Sequence, residues 1–276
     1  MTINTIFYII VATLYLISAW GVYSSARDIR SKLGVWVRPA ISAGLFLQVY
    51  LIYEALFTHG TPYFGLALAL SITLFACTLI LLIESFFSRV ESLLVFILPI
   101  AAIGTLFPIF LPGTPLEPET ASFSFRVHLL LAILAYSLMT IALIQALVLM
   151  ALHNWLREGK AGKALGQEKD GSIIQNAPSI MDMEKMLFRL LWSGFLILSA
   201  AIVFGSAYTH GLFGVFFRFD HKTVTTLLAW LVFAVLLWGH HLRGWRGRFA
   251  ARWVVVGFCI LMIAYIGLRL VIEVGR

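Results

Sequence analysis

Apolar stretches of about 20 residues alternate with short polar breaks along this chain, and eight of them are long enough to cross roughly 30 Å of hydrocarbon as a helix. They fall at about 3–24, 37–57, 63–83, 92–112, 126–152, 186–208, 222–239 and 253–273. In lipid each backbone N–H and C=O must be bonded within its own segment. The pattern therefore predicts an all-α, polytopic membrane protein with about eight transmembrane helices. One long polar connection, about 154–184, interrupts the series, and its glycines and charges (REGKAGKALGQEKDG) read as a cytoplasmic loop too short for a domain. The whole of 1–276 is expected to be a single integral membrane domain. Ser179 ahead of Asp182 offers a cap entering the sixth span. Pro99 and Pro108 remove backbone donors from the fourth and are expected to kink it.

Composition agrees with the pattern. Hydrophobic residues make up 61% of the chain and charged residues 12%, against roughly 25% charged in a soluble domain. The basic residues are unevenly placed: fifteen Lys and Arg lie in the odd-numbered connections and their flanks, five in the even-numbered ones and the C-terminus. Basic residues are retained in the cytoplasm, so the odd connections are assigned there and both termini outside. No basic residue precedes the first span, which reads as an uncleaved helix rather than a signal peptide. The net charge of +7 is then a topology signal, not a nucleic-acid footprint. Cys77 and Cys259 fall inside the third and eighth spans with no CxxC or CxxCH, and read as small core residues.

Sidedness sorts the seven histidines. His59, His128, His210 and His221 belong to the outer face; His153, His240 and His241 belong to the inner face. A helix rises ~1.5 Å per residue, so His221 and His241 stand roughly 30 Å apart and cannot share one metal centre. His128 opens the fifth span just after Arg126, His210 follows the sixth, and His221 precedes the seventh in RFDHK. Neutral imidazole ligates heme iron, and Arg126, Arg218 and Lys222 suit the carboxylates of an anionic ligand such as heme propionates. Equally, such histidines are tolerated at headgroup level with no ligand at all. At the inner face, consecutive residues point ~100° apart, so only one of His240 and His241 faces the bundle squarely. His241 lies near the Trp230 azimuth and His240 to its side, and which of them faces inward depends on whether the seventh span stays helical through Gly239. Other polar groups in the spans, Gln48, Glu54, Arg189, Arg269 and Glu273, are too few for a proton or cation pathway, and Arg189 and Arg269 can snorkel to the two faces. No GxGxxG, P-loop, HExxH or GxSxG is present, and no enzyme activity is expected.

Three stretches carry a resemblance: HLLLAILAYSLMTIA from His128, GLFGVFFRFDHKTV, and LLAWLVFAVLLWGHHLRGWRGR. In this order they resemble the cytochrome c assembly family of membrane heme-handling proteins, nearest its YpjD branch and related to the HemX-like proteins. The likeness covers most of the chain and is strongest from Met183 onward. It implies an inner-membrane protein of cytochrome c biogenesis that binds or handles heme, with other membrane or cytochrome-assembly proteins as partners beside the lipid bilayer. By position it implies an outer axial heme ligand at His128, with His210 or His221 as its partner and Arg126 as a propionate contact. It implies a second ligand at the inner end of the seventh span, where His240 and His241 stand.

The chain departs from the family pattern at three places. The tryptophan-rich heme loop is represented by FGVFFRFDHKT, Phe213 to Thr223, in which Asp220 and Lys222 persist but phenylalanine replaces each tryptophan. Phenylalanine still stacks on a porphyrin but lacks the indole N–H. Gln48 stands where a partner histidine is expected in the second span, and the C-terminus GLRLVIEVGR lacks a closing outer histidine. The alternative reading is a heme-free scaffold or regulatory subunit of a membrane transporter complex.

Overall fold

A computed structural model describes residues 3–27, 35–57, 63–111, 114–115, 122–157, 179–214 and 221–274. Its elements are the helices α1 (Ile3–Arg27), α2 (Val37–Phe57), α3 (Leu66–Glu84), α4 (Glu91–Phe110), α5 (Phe123–Arg157), α6 (Ile180–Phe213), α7 (His221–Arg243) and α8 (Gly247–Val274). Two-residue strands β1 (Tyr63–Phe64) and β2 (Thr114–Pro115) pair antiparallel. Each of the eight helices is long and apolar enough to cross a membrane.

Helix boundaries correct the spans at several points. α5 has 35 residues and α6 has 34, each more than a bilayer needs. The apolar pattern ends where the lipid does, whereas the backbone ladder continues through polar residues that tolerate helix. Ser179 stands immediately before α6, with Asp182 in its first turn and Lys185 3.9 Å from that carboxylate. Pro99 and Pro108 both lie inside the continuous helix α4. Cys77 is buried as expected, but Cys259 is exposed: it lies on the outward face of α8, where an apolar thiol is at home beside lipid.

The described helices form two compact units: α1–α4 with the small ladder, and α5 through His153 with α6–α8. In the first unit α1 packs on both α2 and α4, and α3 packs on α4. Small residues permit the close approaches, as they must where lipid supplies no hydrophobic drive between helices. A Cβ on Gly44 would stand 2.8 Å from the Tyr15 ring, and one on Gly104 would overlap Leu74. Thr73, Thr78 and Thr105 return their hydroxyls to the carbonyls four residues back, at 2.7–2.9 Å, so none is left bare in an apolar setting.

One buried polar clasp joins three helices of this unit. Tyr15 on α1 donates its hydroxyl to Gln48 Oε1 at 2.6 Å, and Gln48 Nε2 donates to Ser71 Oγ at 3.1 Å and to the Ser71 carbonyl at 3.2 Å. Gln48 is fully buried. At one end of the unit Asn4 donates to Glu54 Oε1 at 2.7 Å; at the other, Arg38 Nη2 donates to the Ser85 carbonyl at 2.6 Å and lies 4.7 Å from the Phe86 ring centre.

Candidate functional site

The second unit orders the histidines. α5 and α6 run antiparallel, with Phe125 and Tyr208 at 5.1 Å near one end and Gln145 Nε2 donating to the Met183 carbonyl at 3.0 Å near the other. α6 and α7 are likewise antiparallel, held by a Trp230 Nε1 to Ser199 Oγ bond of 2.8 Å and by Phe195 stacked on Trp230 at 5.3 Å. His128, His210 and His221 therefore lie toward one end of the unit, and His153, His240 and His241 toward the other.

His128 occupies a built seat. It sits in the second turn of α5, half-buried, with Nδ1 2.7 Å from the carbonyl oxygen of Ala201 on α6. A carbonyl only accepts, so Nδ1 carries the proton, and in the neutral ring Nε2 keeps its lone pair. Ligating histidines are commonly fixed in this way, by a second nitrogen bonded to a backbone carbonyl. The ring also needs room beside α6. Gly205 supplies it: a Cβ there would lie 2.9 Å from both Cε1 and Nδ1 of the imidazole. Ala201 and Gly205, four apart on one helical face, were not singled out from the sequence. Two small residues at that spacing, facing a span that opens on a histidine, are the signal that points to them.

The other expected residues are less gathered. His210 and His221 are both exposed, near the end of α6 and at the start of α7. Along α6 the His128 seat lies five to nine residues before His210, roughly 8–13 Å of rise. Arg126 is exposed in the first turn of α5, its N–H bonded to the Ser122 carbonyl at 3.2 Å. Asp220, with His59 and Arg218, lies outside the described residues.

At the far end, of the two histidines between which the sequence leaves the choice open, His240 faces inward. Its ring stacks on Phe188 with centres 3.4 Å apart, and Nδ1 lies 2.8 Å from the Trp245 carbonyl. The physical reason is the chain reversal after α7, which folds Trp245 back over the His240 side of the helix, where Gly239 leaves space for the indole. His241 is exposed. His153 returns Nδ1 to the Leu149 carbonyl at 2.9 Å. Among the described residues no group of three or more His, Cys, Asp or Glu side chains is arranged to hold a metal ion. A heme iron needs only one or two axial side chains, so this does not bear on that ligand. In the first unit, the clasp engages both the oxygen and the nitrogen of Gln48.

Membrane-length helices with a carbonyl-bonded histidine near one end of the second unit define a polytopic membrane protein. Residues 36–274 match the cytochrome C assembly protein family, and the chain belongs to that family. It is 31% identical over 200 residues to "Inner membrane protein YpjD" of Escherichia coli (strain K12), covering 72% of this chain and 71% of that protein. An "Uncharacterized 28.8 kDa protein in nifR3-like 5'region" of Azospirillum brasilense is 28% identical over 225 residues, 78% of each chain. "Cytochrome c biogenesis protein CcsA" of Synechococcus sp. (strain RCC307) is 28% identical over 190 residues, 62% of this chain and 61% of that protein.

Proposed function

We propose that this protein binds heme or a related tetrapyrrole at the His128 end of its second unit and handles it for cytochrome c biogenesis, without catalysing a covalent step. The observation that carries the reading is the His128 seat, in which Nδ1 is bonded to the Ala201 carbonyl, the ring lies against Gly205, and Nε2 keeps a lone pair. These residues fit an axial ligand. Arg126 stands one half-turn away, exposed, as a guanidinium partner for a propionate. His210 and His221 are the candidate partners of His128, Asp220 flanks the loop between them, and His240 is the candidate at the opposite end, with His241 turned away from the unit. Bound heme would supply an iron centre for ligand exchange; the chain's own part is to present one nitrogen in a fixed tautomer and to hold the carboxylates. The basic bias of the odd connections supports an inner-membrane protein with both termini, and the His128 end, on the outer side.

The test is the visible spectrum of the protein purified in mild detergent from heme-replete cells, beside His128→Ala. A Soret band that weakens or shifts in the variant is expected. A colourless protein that also takes up no added hemin overturns the reading. One observation favours the alternative of a heme-free scaffold in a membrane complex: Gln48 is committed to a buried clasp, so the second span offers no ligand in place of the expected histidine.

A further inference from the structure

The turn between α7 and α8 is built unlike the other described connections. Gly244 and Gly247 adopt φ of 66° and 59°, left-handed values that favour glycine, so only three residues separate the two helices. The turn is pinned from inside. Trp245 donates its N–H to the Gly239 carbonyl at 3.3 Å, accepts from His240 Nδ1 at 2.8 Å, and stacks on Trp253 at 6.3 Å, with Phe249 edge-on at 4.8 Å.

Its outside is strongly basic. Between Trp238 and Trp253 the chain carries Arg243, Arg246, Arg248 and Arg252 and no Asp or Glu. None of the four pairs with a carboxylate among the described residues, where the basic Lys185 does pair, with Asp182. The acidic side chain that reaches the turn is Glu184, whose Oε1 lies 3.5 Å from where a Cβ on Gly247 would stand. Among the described residues, one carboxylate against four guanidinium groups leaves the array cationic. Beside it Trp238 is 72% exposed, Leu242 64% and Phe249 47%. A free anion would satisfy the arginines but leave this apolar border bare; a lipid with an anionic headgroup satisfies both. A nucleic acid would match the charge but would bring its hydrated backbone to a border that lies at the edge of a bilayer, beside acyl chains.

We propose that the α7–α8 turn is a binding site for anionic phospholipid headgroups, in which Arg243, Arg246 and Arg248 hold the phosphate while Trp238, Leu242 and Phe249 take the glycerol and first acyl carbons. The site is independent of tetrapyrrole binding. It gives the basic stretch a ligand as well as a sidedness.

The full chain is reconstituted into bilayers of mixed phosphatidylglycerol and phosphatidylcholine, extracted into mild detergent, and its retained lipids are counted by native mass spectrometry. Wild-type protein retains phosphatidylglycerol above its share in the bilayer. The triple variant R243Q/R246Q/R248Q, at two exposed arginines and one half-buried one, lowers that enrichment by about fivefold or more, the factor expected for losing even one basic contact to an anionic surface. K185Q, which removes a cation already paired with Asp182, keeps it. Equal retention of the two lipids by the wild type overturns the proposal, as does a triple variant that matches the wild type or a K185Q variant that falls with it. Displacement of the lipid by millimolar inorganic phosphate overturns the lipid source in favour of a free anion.

Discussion

Gly205 and His128 approach so closely that no side chain fits between them: a Cβ on the glycine would stand 2.9 Å from two atoms of the imidazole. Because the same ring is bonded to Ala201, one turn earlier on α6, glycine and carbonyl together fix its position.

Gly205→Ala therefore forces the ring away from α6 and loosens the Ala201 bond. Overpacking of this kind costs about 1–3 kcal/mol, so SDS or thermal unfolding in detergent is expected to show a loss in that range. Hemin affinity should fall with it. Unchanged stability with unchanged hemin binding would mean that the seat does not hold the ring.

The legibility of this chain divides along physical lines. Runs of apolar residues are a one-dimensional signal, so all eight spans could be read from residue order. The lengths of α5 and α6 could not, since a helix leaving the bilayer changes composition without changing backbone. The place of His128 at the opening of a span, beside Arg126, was legible. Its tautomer was not, because that depends on the Ala201 carbonyl, 73 residues away. Between His240 and His241, azimuth counting along a straight helix left the choice open, since the decisive neighbour, Trp245, arrives only after the chain reverses. Cys259 shows the same limit: an apolar thiol reads alike whether it faces protein or lipid.

Tyr15→Phe tests the clasp of the first unit. It removes the hydroxyl that satisfies Gln48 Oε1 and leaves a buried acceptor bare. Hydrogen bonds between helices in membranes are worth roughly 0.5–2 kcal/mol, and a loss in that range is expected by reversible unfolding. Gln48→Leu, which deletes all three contacts, should cost more than Tyr15→Phe; hemin uptake should be the same in both as in the wild type, because neither residue belongs to the His128 seat.

Trp230→Phe keeps an aromatic ring against Phe195 but removes the N–H that reaches Ser199. The expected loss is about 1 kcal/mol, and Ser199→Ala in the Trp230→Phe background should add little. A double-mutant cycle measures this coupling; additive losses would show that the two side chains act separately.

Glycine substitutions should separate conformational from steric cost. Gly247 has φ of 59° with only ordinary contacts at 3.5 Å or beyond. Alanine there is expected to destabilise by about 1–2 kcal/mol through backbone strain alone. Gly211, inside α6 with nothing within 4 Å of its missing Cβ, should behave oppositely: alanine is expected to be neutral or to stabilise by up to about 1 kcal/mol. Thermal unfolding of the two variants side by side checks the sign of each.

At ~1.5 Å per residue the 35 residues of α5 measure about 52 Å, of which lipid needs roughly 30 Å. α6, with 34 residues, is nearly as long. The ring of the His128 seat on α5 and its Ala201–Gly205 wall on α6 thus ride on the far arms of two stiff levers whose near arms end at Arg157 and Ile180. A small roll of either lever about its own axis would be delivered, undiminished by any break in the helix, to the point where the imidazole meets Ala201 and Gly205.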